Sequence, residues 1–142
     1  MKQSAFRFKN PVLTHLQYEV NDRALPKEPE QTEISIAANV SVRRLADRAN
    51  SAVVSLKLEL PKDNHDNFPF SLSAAMSAQF EWDEGLSDES VNFLLTRNAP
   101  ALLLGYLRPW VADVTGAGPS TAVHIPFMDF SQDPSEEGKL QQ

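Results

Sequence analysis

Cysteine is absent from this chain of 142 residues. Disulfides, thiolate zinc sites and cysteine nucleophiles are therefore excluded together, and the absence fits a reducing compartment. No apolar run is long enough to cross a membrane as a helix. The opening Met1-Lys2-Gln3-Ser4 lacks the apolar stretch of a secretory signal, so the expected location is the cytoplasm. None of the patterns GxGxxG, GxxxxGK(S/T) and GxSxG occurs, which removes the common phosphate cradle and the nucleophile elbow. His15, His65 and His124 form neither an HxxxH nor an HExxH pair, so helical metal ligation has no support. An excess of positive charge is also missing. The formal net charge is −6, and the one compact basic cluster is Arg43-Arg44 with Arg48 nearby. A nucleic-acid binder gains affinity by neutralising phosphates, so that class is disfavoured.

Two acidic groups remain as candidates for chemistry. Asp63-Asn64-His65-Asp66 reads as a solvated turn rather than a cation site. Asp83-Glu84 and Asp88-Glu89 fall in a loop and a helix first turn, where acids are favoured anyway. No catalytic residue, metal or cofactor is assigned, and the expected function is binding rather than catalysis.

A hydrophobic fraction of 42% in one domain-sized chain allows a real core. Four segments alternate with period two. Val12–Val20 places Val12, Leu16, Tyr18 and Val20 on one face. Thr32–Arg43 groups Ile34, Ile36, Ala38, Val40 and Val42. Ala52–Leu60 groups Val54, Leu56, Leu58 and Leu60, and Phe70–Trp82 groups Phe70, Leu72, Ala74, Met76, Phe80 and Trp82. One apolar and one wet face per segment is the pattern of an antiparallel sheet. Asn21–Glu30 reads as an exposed connection. The period then changes. Ser87 is an N-cap, with Leu86 and Val91 placed as a hydrophobic staple. That helix is expected to run to about Arg97 and break before Pro100. A second helix starts at Pro100 and ends at Gly116, with a kink expected near Gly105–Pro109. Ala122–Phe130 is an apolar return segment, and residues 131–142 read as a disordered acidic tail after a domain of residues 1–130.

The aromatic set Phe68, Phe70, Phe80, Trp82, Tyr106, Trp110, Phe127 and Phe130 exceeds what a thin two-layer core needs. Part of it is expected to line an exposed apolar groove.

The stretch from Asn98 through Leu103, Tyr106 and Trp110 to Phe130 resembles the SecB family of export chaperones. Pro100, Leu102, Leu103, Tyr106 and Arg108 match that family's helix pattern, and Ile125, Pro126 and Phe130 match the later segment. The element order agrees across about residues 5–130. The resemblance implies an α+β fold, a four-stranded antiparallel sheet with two C-terminal helices packed on one face. It also implies a dimer of dimers, with the edge strand Val12–Val20 at one contact and the first helix at the other. It implies a holdase that keeps preproteins unfolded and passes them to the SecA motor, or that serves a toxin–antitoxin system. Client contacts are expected at Ile34, Ile36, Phe68, Trp82, Tyr106 and Trp110, of which Ile34 and Ile36 rest on the resemblance. The acids that export SecB presents to SecA fall here at His15, Glu19 and Ser73, and Glu19 alone keeps the charge. The competing reading is a small α+β enzyme or ligand-binding domain, such as a hotdog-like thioesterase. It fits less well, because both helices follow the strands.

Overall fold

The computed structural model describes residues 4–22, 34–62 and 68–131. Its strands are β1 (Phe6–Phe8), β2 (Val12–Val20), β3 (Ala37–Arg44), β4 (Ser51–Leu60) and β5 (Phe70–Trp82). All pairings are antiparallel. The long β5 is central: β4 and then β3 lie on one side of it, and β1 and β2 lie on the other. β1 pairs with Phe80–Trp82 and β2 with Phe70–Ser77, so the two lie end to end and share one edge position. The sheet is therefore four strands wide although it contains five. β1 is too short to show alternation in the sequence, and Lys9-Asn10-Pro11 separates it from β2.

Alternation in β4 and β5 becomes burial without exception on the inner face. Val54, Leu56, Leu58, Phe70, Ala74 and Phe80 are at most 1% exposed. Fully burying side chains of the larger kinds in this set contributes about 1.5 to 3 kcal/mol each. The hairpin between β3 and β4 closes with Leu45 N–H donating to Ser51 O at 3.1 Å. Its Asn50 has φ 59, a left-handed conformation that asparagine tolerates.

Two strand expectations need correction. β3 begins at Ala37, later than the expected Thr32; Thr32 and Glu33 lie outside the described residues. In β2 the register shifts between Leu13 and His15. Thr14 is the extra residue, a bulge that swaps which side chains face inward. Leu13 opposes the buried Met76 and packs on the core, while Val12 opposes Ser77 and is 58% exposed. Period two alone had placed Val12 with Leu16.

After β5, Ser87 caps α1 (Asp88–Phe93) by accepting a hydrogen bond from Ser90 N–H. Leu86 packs on the core and Val91 is buried, as the staple requires. The expected break before Pro100 does not occur. A π-helical turn, Leu94–Asn98, joins α1 directly to α2 (Ala99–Gly116). Ala99, just before the proline, has helical φ −61 and ψ −47, and its N–H bonds back to Leu94 O. Pro100 has no N–H for Thr96 O, and its ring crowds that carbonyl. The wider π turn accommodates both without ending the helix. α2 continues through Pro109 to Gly116 and lies on β5 and β4. The connection at Asn21–Glu30, the His65 turn and the acidic tail lie largely or wholly outside the described residues; Asn21, Asp22 and Ser131 are described.

Candidate functional site

The return segment after α2 forms neither helix nor strand, yet it is tightly held. Thr115, 0% exposed, donates from Oγ1 to Val111 O at 2.7 Å and accepts Val123 N–H at 2.8 Å. About two turns earlier, Arg108 Nε donates to Ile125 O at 2.7 Å. Val123, Ile125, Met128 and Phe130 turn inward and are buried. The segment thus runs back along α2 as a strap.

Phe127 is the exception on the strap. It is 86% exposed, with the Arg108 guanidinium 4.9 Å from its ring centroid. The residue pair Phe127-Met128 breaks the alternation, and only Met128 turns in. Phe93 at the end of α1 is 47% exposed, with Arg97 stacked over it at 4.5 Å. On the outer side of α2, Tyr106 and Trp110 are exposed one turn apart, and Phe8 of β1 meets Tyr106 edge-on at 6.3 Å. Five exposed rings thus stand on or beside the helices, with Phe8 and Tyr106 in contact.

The six candidate contact residues fall in three places. Ile34, partly buried, and Ile36 and Phe68, both buried, lie at the end of the sheet near Phe70. Trp82 lies at the far end of β5, buried at 7% exposure beneath Arg44 and beside Phe6. Twelve residues of strand separate it from Phe70, about 40 Å at the usual rise. Tyr106 and Trp110 lie on the outside of α2. Phe8 and Phe93 were missed, and Phe127 was in the aromatic set but not among the six contacts: β1 is short, Phe93 sits on the outer face of a helix, and Phe127 sits where an alternation slips.

His15, Glu19 and Ser73 share the helix-free face of the sheet, since His15 opposes Ala75 and Glu19 opposes Ser71. That face is nearly balanced in charge. Lys57 pairs with Glu59 at 3.6 Å and Lys9 with Glu81 at 3.4 Å. Elsewhere, the Tyr18 hydroxyl is buried without a hydrogen-bond partner among the described residues, and burial raises its pKa above the ordinary value. Among the described residues no group of His, Asp and Glu is arranged to hold a metal ion, and no helix is long and apolar enough to cross a membrane.

The SecB family model, described as preprotein translocase subunit SecB, matches residues 4–133. The chain belongs to the SecB family. This is a family of chaperones rather than enzymes, and the sheet and helices have the SecB-like arrangement. Among solved structures, the SecB-like chaperone of Mycobacterium tuberculosis, in complex with a ChAD peptide from the HigA1 antitoxin, superposes with a TM-score of 0.67. It is 18% identical, over 87% of each chain. A Streptococcus agalactiae protein of unknown function gives a TM-score of 0.51 at 20% identity, covering 86% of this chain and 97% of that one. No curated protein sequence matches.

Proposed function

We propose that this SecB-family chain is a holdase that binds unfolded polypeptide segments through aromatic surface rather than through an enclosed pocket. The observation carrying this reading is the exposure of five large rings, Phe8, Phe93, Tyr106, Trp110 and Phe127, each 41% exposed or more. Aromatic faces offer large contact area without demanding one partner sequence. Of the residues singled out in the sequence, Tyr106 and Trp110 touch clients directly and Ile34 forms a rim. Ile36, Phe68 and Trp82 support the surface from the core.

The experiment replaces Tyr106 and Trp110 singly with serine, and Trp82 with serine as the buried comparison. Thermal stability is measured beside suppression of aggregation of an unfolded client. Loss of suppression with the melting temperature kept supports the reading for the two exposed rings. Full activity in both folded variants removes α2 from the binding surface. Trp82→Ser is expected to lower stability and activity together.

Handover to a translocation motor would use the face of His15, Glu19 and Ser73. Glu59 and Glu81 there already have lysine partners, which leaves Glu19 as the unbridged acid among its described residues. This balance favours a dedicated partner, such as an antitoxin, over docking of a basic motor domain. Pull-down from a lysate distinguishes the two by recovering either many preproteins with SecA or one partner.

A further inference from the structure

Without cysteine, the oxidisable sulfur of this chain lies in three methionines. Met1 is outside the described residues. Met76 is sealed in β5 at 2% exposure, between Leu56 of β4 and Leu13 of β2. Met128 is placed differently. It turns inward from the strap and is 9% exposed, yet it also borders a shallow groove open to solvent, where Phe93, Arg97 and Ala101 face the strap. The two ends of the strap are held by different means. The first part is hydrogen-bonded to α2, through Val123 N–H to Thr115 and Arg108 to Ile125 O. Beyond Ile125, no hydrogen bond among the described residues joins residues 126–131 to the helices or the sheet, and Ser131 N–H reaches only Asp129. Arg97 and Asp129 border the same groove without forming an ion pair. Arg108 lies over Phe127, but that ring is in solvent. The burial of Met128 and Phe130 is therefore what keeps this end of the strap down.

We propose that Met128 is an oxidation-sensitive latch: a peroxide converts its thioether to the sulfoxide, the end of the strap lifts, and the apolar surface beneath it becomes available to clients. The step is an oxygen transfer that oxidises sulfur and reduces the peroxide. The sulfur lone pair attacks one peroxide oxygen, an S–O bond forms, the O–O bond breaks, and the displaced hydroxide takes up the proton and leaves as water. The product is a polar group on a side chain that had been flexible and apolar. Returning it to its buried position without a hydrogen-bond partner is unfavourable. Nothing else among the described contacts of residues 126–131 offsets that loss. Met76 is spared, because an oxidant reaches it only if the sheet opens. Methionine sulfoxide is reduced by dedicated reductases, so the latch can be reset. This rests on the reading of the chain as a holdase and adds a control to it.

The test treats the full chain with hydrogen peroxide and reads three quantities: the mass of the peptide containing Met128, the rate of chymotryptic cleavage after Phe130, and suppression of aggregation of an unfolded client. One oxygen should be added at Met128 while Met76 stays reduced. Cleavage after Phe130 should accelerate and suppression should rise severalfold, and methionine sulfoxide reductase should reverse all three changes. Met128→Leu, a swap of similar volume that cores tolerate, should keep the strap down and show none of these responses. Met128→Gln should show the faster cleavage and stronger suppression without peroxide. The proposal is overturned if Met128 stays reduced until Met76 is oxidised as well, or if Met128→Leu gains as much from peroxide as the wild type. Loss of near-ultraviolet circular dichroism across the oxidised chain also overturns it, because Met128 would then be an ordinary core residue. Oxidation of Met128 that leaves an existing suppression unchanged defeats this inference alone. A chain that suppresses aggregation in neither state defeats the holdase reading too.

Discussion

Tyr18 and Gly118 constrain each other where β2 meets the end of α2. A Cβ on Gly118 would run into the Tyr18 hydroxyl. The demand for glycine is one of space, since none of the described glycines has positive φ. Gly118→Ala is expected to cost about 1 to 3 kcal/mol, as overpacking does. Tyr18→Phe removes a buried hydroxyl that has no partner among the described residues, so it should be neutral or mildly stabilising. It should also relieve part of the Gly118→Ala cost in a double-mutant cycle read by urea denaturation. The same hydroxyl has a pH signature. Its folded pKa is raised from 10.0 by burial, so the unfolded chain loses this proton first. The stability it contributes is complete below pH 10 and falls as pH rises through the folded value. In Tyr18→Phe the alkaline decline should be shallower. Thr115 is the other decisive residue, because it alone satisfies Val123 N–H from a fully buried site. Thr115→Val keeps the shape, strands that donor, and should cost about 1 to 3 kcal/mol in thermal or urea unfolding.

Among the elements, the helical run shows local rules being followed at one end and overridden at the other. Ser87 was legible as an N-cap because the cap forms within four residues, and its side chain accepts Ser90 N–H at 3.1 Å. Ser87→Ala should lower stability by about 1 kcal/mol. Pro100 was misread for the opposite reason. The bias of a pre-proline residue away from the helix is small beside the burial of Leu95, Leu103 and Leu104 on one continuous face. A π turn costs less than losing that packing. Pro100→Ala should therefore leave α2 in place. At Pro109, replacement by alanine is expected to be neutral or mildly stabilising, checked by thermal melting, because α2 already passes through that position. The Thr14 bulge was invisible for a related reason: one inserted residue changes no composition, only which side of the strand faces in.

At the scale of the molecule, the sheet has two edges that are open among the described residues, β3 and the combined β1–β2 edge. An edge strand presents unpaired backbone groups that invite another chain. We propose that the β2 edge joins two subunits, and that the first helix, α1, joins pairs into a tetramer. Light scattering should then give a particle near four chains, and proline at His15 should reduce it. A monomeric wild-type particle would remove this arrangement.

The sequence by itself determined the central strands, the helix start at Ser87, the order of elements and the family. Each of these is written in short-range periodicity or in a local motif. Only the tertiary structure decided which aromatics stay outside. Exposure depends on what packs above a residue, and Trp82 and Trp110 look alike until Arg44, β1 and the sheet are placed around the first of them. It likewise decided that Phe127 stands out while Met128 turns in, because the strap is fixed by Thr115 and Arg108, far from it in sequence but adjacent in space.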